Sequence, residues 1–303
     1  MSDAGSQRLP PHGDAVYRTL RAVGDAWSWL ILRDALLHDV RRFSDFQRRT
    51  GAARATLAAR LQQLVDSGLL ERRAGRDYLL SAAGEDFLGC LLCASRWGAT
   101  WYPSDGDPAP PTHLKCGRPL AAVLCCAACH QVVDAREVTW SSHVALESPP
   151  AASRQRAPRR ELLERGGASP LARALAVVGD WWTSLVIREA FYGTRRFQDF
   201  ERRTGAAPNI LTARLNHLVR EGVLERLPDP ERPVRHEYHL TAKGLDLYHV
   251  PLAMMAWGDR WPPPSSASAT LMHNPCGKPL RPQLSCGVCA GEVTRTTLRV
   301  ASG

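Results

Sequence analysis

The chain says the same thing twice, and a sequence duplicated at this length must fold into two like units. Residues 42–53, RFSDFQRRTGAA, return as residues 196–207, RFQDFERRTGAA. The match spreads outward: Trp97-Gly98 corresponds to Trp257-Gly258, and Cys116, Cys126 and Cys129 correspond to Cys276, Cys286 and Cys289. The offset is 155 residues at Gly24/Gly179, 154 at Phe43/Phe197 and 160 from Tyr78/Tyr238 onward, so one residue is lost and six are gained between the copies. The period is too long for a solenoid unit and marks a duplicated domain.

Size permits that arrangement, because 303 residues of which 44% are hydrophobic can build two ordinary cores. A net charge of +9 favours an anionic partner without choosing among nucleic acid, membrane and acidic protein. Thirty-six of the 39 basic residues are arginine, whose planar fork suits phosphates and guanine edges, although a GC-rich genome gives the same bias. The opening MSDAGSQRLPPHGD is polar and turn-rich, and no apolar run approaches the roughly 20 residues of a membrane span. A cytoplasmic location is expected, and nine cysteines there read first as metal ligands or redox groups.

The expected organisation is a helical domain over 15–102, a Cys/His tail over 112–140, a linker over 141–169, a second helical domain over 170–262 and a second tail over 271–300. The stretch ESPPAASRQRAPRR (147–160) has no helical or strand period and reads as a semi-stiff tether. In the second copy, 174–193 predicts two helical segments parted at Gly179, and 196–205 predicts a short helix with Phe197 and Phe200 on one side. Leu211, Leu215 and Leu218 stripe the next helix, which Gly222 ends. VLERL and HEYHLT read as two strands around a turn-rich loop, and 241–258 as a further helix with Thr241 as N-cap. The fold class expected is mainly α with small β wings: tandem winged helix-turn-helix domains, each followed by a zinc-ribbon-like tail.

The second copy, from GDWWTSLVIREAFYG through RFQDFERRTGAAPNILTARLNHLVREGVLERL to Glu237-Tyr238-His239-Leu240-Thr241, resembles the HxlR family of bacterial winged-helix transcription regulators. Both copies depart from that family where Ala26 and Trp181 replace its usual lysine. The first copy departs further, with Ala58 opposite Thr212, Ser81 opposite Thr241 and a clipped wing. The resemblance implies a homodimeric DNA binder whose terminal helices pack together. In a chain with two such units it implies an intrachain pseudo-dimer, pairing 82–98 with 242–258 and setting the recognition helices about one DNA turn, roughly 34 Å, apart. A conventional homodimer of chains is the alternative.

The DNA-contact candidates of the first copy are Arg41, Arg42, Arg48, Arg49, Arg54, Thr56 and Arg60. Those of the second are Arg195, Arg196, Arg202, Arg203, Asn209, Thr212, Arg214 and, on the wing, Arg235. Clustered arginines neutralise phosphates and release counterions. Base reading falls to Arg54 and Thr56 in one copy and Asn209 and Thr212 in the other, which implies unlike half-sites. Arg60 and Arg214, beside the leucine stripe, could equally form intrachain ion pairs. Arg33 and Arg188, beside Asp34 and Glu189, read as structural.

The tails carry His113-x2-Cys116-x9-Cys126-x2-Cys129 and His273-x2-Cys276-x9-Cys286-x2-Cys289. Two knuckle-spaced ligand pairs are what one tetrahedral zinc ion needs, so one zinc per tail is expected. A thiol redox sensor and reduced, metal-free cysteines are the competing readings. Cys125 has no partner in the second copy, where Ser285 stands; Cys90 and Cys93 likewise lack thiol counterparts and read first as small core residues, then as sensors. The tryptophans read as packing before a ligand cage. No nucleophile elbow, phosphate-cradling loop or carboxylate pair occurs, so an enzyme is not expected. The function expected is sequence-specific regulation of transcription on double-stranded DNA, of the repressor type, with no membrane partner. A small-molecule or oxidant effector is left open. A redox- or electrophile-sensing regulator and a protein-interaction adaptor that has lost DNA binding are the alternatives.

Overall fold

The computed structural model describes residues 15–73, 77–140, 158–229, 235–261 and 270–300. The first repeat contains α1 (Ala15–Val23), α2 (Ala26–His38), α3 (Phe43–Thr50), α4 (Arg54–Asp66), β1 (Leu70–Arg72), β2 (Tyr78–Leu80), α5 (Ala82–Asp86) and α6 (Leu88–Trp101). Its tail holds β3 (Thr112–His113), β4 (Arg118–Pro119), β5 (Ala122–Cys126) and β6 (Val138–Trp140), and α7 (Arg160–Leu163) precedes the second repeat. That repeat follows the same order with α8 (Pro170–Val178), α9 (Trp181–Phe191), α10 (Phe197–Thr204), α11 (Pro208–Arg220), β7 (Leu224–Pro228), β8 (His236–Leu240), α12 (Ala242–Asp246) and α13 (His249–Arg260). Its tail holds β9 (Leu271–His273), β10 (Lys278–Pro279), β11 (Pro282–Cys286) and β12 (Leu298–Arg299).

Local chemistry explains the shared boundaries. Asp25 and Asp180 cap α2 and α9 by accepting the N–H groups of Trp27 and Ser28, and of Trp182 and Thr183. Gly51 and Gly205 end α3 and α10 at φ 67°, the left-handed turn that leads into α4 and α11. Ser81 does the work of Thr241: each caps its short helix by accepting from Gly84 or Gly244. The trailing helix read as continuous over 82–98 and 242–258 is broken in two in both repeats. The break seats Phe87, fully buried, with its ring 4.9 Å from Trp29 and 5.7 Å from Trp257. Residues 158–169, within the expected linker, are also structured: Leu163 is buried, and Glu164 holds Arg173 of α8 at 2.7 Å.

The repeats share one contiguous core. α6 lies on α8 and α13 on α1, while α6 and α13 also touch each other. The duplicated Trp-Gly pair makes this approach work. A Cβ on Gly98 would stand 2.0 Å from the Pro170 carbonyl oxygen, and one on Gly258 would stand 2.0 Å from that of Ala15. Beside them Trp97 Nε1 donates to the Lys243 carbonyl at 3.0 Å and Trp257 Nε1 to the Ala83 carbonyl at 2.8 Å. Trp101 and Trp261 donate to Asp246 and Asp86 in the same reciprocal way, and these carboxylates also hold Arg96 and Arg260. Trp97, Trp101, Trp257 and Trp261 are therefore packing residues with their N–H groups satisfied.

The tails are exchanged rather than separate. β5 pairs antiparallel with β11, with Leu124 opposite Leu284. β6 of the first tail completes a sheet with β9 and β10 of the second, and β12 of the second completes one with β3 and β4 of the first. The x9 gap of each tail is the length of chain that carries β4 and β5, or β10 and β11, from one tail's knuckle to the other's.

Candidate nucleic-acid interface and Cys/His centres

In both repeats a short helix leads through a glycine turn into a longer one whose buried stripe is Leu57, Leu61 and Leu64, or Leu211, Leu215 and Leu218. These stripes anchor α4 and α11 and leave their opposite faces to solvent. Their N-caps, Ala53 and Ala207, make no side-chain hydrogen bond to the first-turn N–H groups, a polarity that suits phosphate. Around that end Arg54, Asn209 and Thr212 are exposed and Thr56 is half-buried. The Arg54 guanidinium lies 5.4 Å from the centre of the Phe43 ring.

The wing is tied to the same surface. Tyr78 N–H donates to the Arg41 carbonyl and Tyr238 N–H to that of Arg195, both at 2.8 Å, so Arg41, Arg42, Arg195 and Arg196 flank the wing strands. Arg235 is exposed at the start of β8. Arg48 and Arg202 remain largely exposed while bonding Asp45 and Asp199 one turn back. Arg41 reaches Asp39 at 2.9 Å, Arg42 Asp77 at 3.8 Å, and Arg196 both Asp229 at 3.1 Å and Glu237 at 3.2 Å.

Four candidates sit differently. Arg60 pairs with the Asp25 carboxylate and Arg214 with Asp180 at 2.9 Å, the two N-cap aspartates, and both guanidinium groups are largely covered. They bolt the recognition helices α4 and α11 to the starts of α2 and α9, the intrachain alternative to a phosphate contact. Arg49 leans on fully buried Asp34 at 3.3 Å and Arg203 on Glu189 at 3.8 Å, each about two-thirds covered. Arg33 and Arg188 pair with the same two carboxylates, as their position beside them suggested.

The tail ligands come together in two tetrads. His113 and Cys116 meet Cys286 and Cys289, and Cys126 and Cys129 meet His273 and Cys276, with the ligand atoms of each set within 4.8 Å of one another. The sequence grouped each set within a tail; each instead takes one pair from each tail. The reason is the β5–β11 pairing, which carries each C-x2-C pair across to the other tail's H-x2-C pair. In the second tetrad the Cys126 and Cys276 sulfurs are 3.9 Å apart, and His273 Nδ1 is 3.4 Å from both Cys129 and Cys276. His113 Nδ1 likewise lies 3.5 Å from Cys116 and 3.4 Å from Cys289. Zinc–sulfur bonds of about 2.3 Å and zinc–nitrogen bonds of about 2.0–2.1 Å in a tetrahedron imply spacings of about 3.8 and 3.5 Å, so the donor set fits that ion.

The surrounding backbone is shaped for such ligands. Gly117 and Gly277 at φ 67° and 64°, and His130 and Ala290 at φ 60° and 54°, fold each pair into a knuckle. His113 Nε2 lies 3.2 Å from the Glu292 carbonyl oxygen, a partner that directs Nδ1 to the sulfurs. Burial pushes the Cys126 and Cys286 thiols up, but the N–H groups of Ala128 and Cys129, or of Val288 and Cys289, together with the neighbouring thiols of each tetrad, hold both below the ordinary thiol value. Cys90 and Cys93 are of another kind: fully buried in α6, with burial pushing Cys93 up to about 12. They are core residues.

No helix among the described residues is long and apolar enough to cross a membrane. The chain is 40% identical over 135 residues to Rv3095 of Mycobacterium tuberculosis, an uncharacterized HTH-type transcriptional regulator, covering 44% of this chain and 85% of that protein. It is 34% identical over 110 residues to the uncharacterized HTH-type transcriptional regulator sll1512 of Synechocystis, covering 36% and 82%. To the HTH-type transcriptional regulator YodB of Bacillus subtilis it is 34% identical over 89 residues, covering 29% and 80%. Less than half of this chain thus accounts for four-fifths or more of each relative. The family description HxlR-like helix-turn-helix matches twice, over residues 22–105 and 177–266. With two winged helix-turn-helix units in the structure and the same family matched on each, this chain belongs to the HxlR-like family of DNA-binding transcriptional regulators, as a tandem member.

Proposed function

We propose that this chain represses transcription by occupying a two-part DNA site as a single polypeptide, its two winged-helix units acting as an intrachain pseudo-dimer. The observation that carries the reading is the reciprocal packing of α6 on α8 and α13 on α1, which joins the two units through one core. Relatives matched over most of their length by one repeat support it, because the second repeat then stands where a second chain would. Covalent linkage raises the effective concentration of the second unit and removes the need for a partner chain.

In this reading Arg41, Arg42, Arg48, Arg195, Arg196 and Arg202 neutralise phosphates beside each recognition helix, and Arg235 adds a wing contact. Arg54 and Thr56 read one half-site, favouring guanine opposite the arginine, while Asn209 and Thr212 read the other, favouring adenine opposite the asparagine. The operator is accordingly non-palindromic. Arg60 and Arg214 hold each recognition helix at its angle through Asp25 and Asp180, and Arg49 and Arg203 do the same through Asp34 and Glu189. Repression follows from occupancy of promoter DNA.

The two Cys/His tetrads are proposed as structural zinc sites. Four protein ligands close each site, so the ion would supply cross-linking and no catalysis. Since each tetrad draws on both tails, zinc would fasten one repeat to the other and fix the spacing of the two recognition helices.

The test combines sedimentation with DNA binding on one zinc-replete preparation. A monomer that binds one non-palindromic site in a steeply salt-dependent manner bears the proposal out. An obligate dimer of chains overturns the pseudo-dimer, and no selective binding at low salt overturns the regulator reading in favour of an adaptor. A reporter fused to the bound promoter reads the sign of regulation.

A further inference from the structure

The two repeats differ at one place where the exchanged strands meet the trailing helices. Leu124 and Leu284 face each other in the β5–β11 ladder. Ala127 N–H donates to the Arg281 carbonyl and Gly287 N–H to that of Ala121, which makes these flanking pairs the hydrogen-bonded ones in an alternating ladder. The Leu124–Leu284 pair is therefore non-hydrogen-bonded, and both residues turn their N–H and C=O groups away from the partner strand. The carbonyls are satisfied symmetrically, Leu124 by Val133 N–H at 2.9 Å and Leu284 by Val293 N–H at 3.1 Å. The N–H groups are not. Leu124 N–H donates to Nδ1 of His249, a buried histidine at the start of α13, at 3.1 Å. The position equivalent to His249 in the first repeat, 160 residues earlier, is Gly89.

Gly89 opens a hole where the imidazole would be. A Cβ built on it meets nothing within 4 Å. It lines an open groove of about 760 Å³ whose walls include Leu88, Ala253, Trp257 and Leu284. Among the described residues no side chain accepts the Leu284 N–H. At the rim Arg260 is held by Asp86 and Arg295 by Glu85, and the exposed Glu292 adds one further carboxylate. Beside Gly89 the groove thus offers apolar side chains and one outward backbone donor, with the charged groups at its rim, a make-up suited to a small molecule.

We infer that this groove is a binding site for a small, uncharged nitrogen heteroaromatic, which takes in the first repeat the place that the His249 imidazole fills in the second. Its unprotonated ring nitrogen accepts the Leu284 N–H, and its ring lies in the space that Gly89 leaves free. The second repeat carries its own occupant, and the duplication shows what chemistry the vacated pocket accepts. Because the groove touches α5, α6, α13 and the exchanged tail together, an occupant there contacts both repeats at once.

The test uses the full-length, zinc-loaded protein at a pH where imidazoles are neutral. It is titrated with 4-methylimidazole and, separately, with toluene, while the backbone amide resonances of Leu284 and Leu124 are followed. The expected result is a saturable shift at Leu284 in the wild type, at least about tenfold weaker in the Gly89→His variant, whose added ring occupies the site. A His249→Gly variant is expected to gain a matching response at Leu124. The Gly89→His chain is expected to unfold no earlier than the wild type, since its side chain enters open space. No saturable response at Leu284, an equal response in Gly89→His, or an equal response to toluene overturns the assignment. Metal content is measured in parallel, and a shift that tracks loss of metal likewise counts against the site.

Discussion

Cys126 and Cys276 come from different tails, 150 residues apart in the chain, yet their sulfurs stand 3.9 Å from each other. That single juxtaposition turns two local knuckles into a clasp between the repeats, and it makes the zinc proposal sharply testable. Replacing Cys126 or Cys276 with serine should each remove about one of two zinc ions, because both belong to the same tetrad. The double variant should still hold about one. If ligands were instead grouped within tails, the double variant would lose both, and elemental analysis of purified protein separates the outcomes.

Close helix approach depends on Gly98 and Gly258. Alanine at either position drives a methyl group into a carbonyl oxygen of the other repeat. The expected loss is about 1–3 kcal/mol of unfolding free energy, measured by denaturant titration. Alanine at Gly89, where the same construction meets open space, should be neutral or stabilising by up to about 1 kcal/mol.

The arginines of the helix-turn-helix should divide into two classes. Arg48→Ala and Arg54→Ala should weaken DNA binding and leave stability nearly unchanged. For a phosphate contact the slope of log affinity against log salt should fall by about 0.9 per residue. Arg214→Ala removes the partner of an N-cap carboxylate that is itself buried, so it should cost about 1–3 kcal/mol of stability. Binding isotherms at several salt concentrations, paired with urea melts, tell the classes apart.

Acid should loosen the junction at His249. Burial, with Arg96 alongside, pushes its imidazole down to about 4, against 6.5 in the unfolded chain, while Asp246 and Asp134 pull the other way. The unfolded chain therefore binds the proton more readily, and stability is lost as pH falls from about 6.5 to 4. The full loss from this group is roughly 3 kcal/mol. His249→Asn keeps an acceptor for Leu124 N–H without the titration, so its stability should be flatter than wild type across that window. A parallel slope in both proteins would assign the acid sensitivity elsewhere.

Much of this molecule is written locally. The duplication, the helix starts at Asp25 and Asp180, the glycine turns, the leucine stripes and the eight Cys and His residues of the tails are all set by neighbours a few residues apart. So are the roles of Arg33, Arg188, Cys90 and Cys93, whose apolar or acidic neighbours lie beside them in sequence. What tertiary structure decided is every choice between equivalent partners. The spacing of His113-x2-Cys116 specifies a half-site but cannot say which C-x2-C pair completes it, because the two tails offer chemically identical ones. The choice falls to the strand pairing of β5 with β11, to the exchange of β6 and β12, and to the Trp-Gly contacts that bring the repeats together. The same holds for Arg60 and Arg214, whose helical positions allow either phosphate or carboxylate and whose partners, Asp25 and Asp180, lie on a helix start about 35 residues away in sequence. Short-range order is encoded in side-chain geometry and capping; long-range pairing is settled by which arrangement buries the shared core and satisfies its polar groups together.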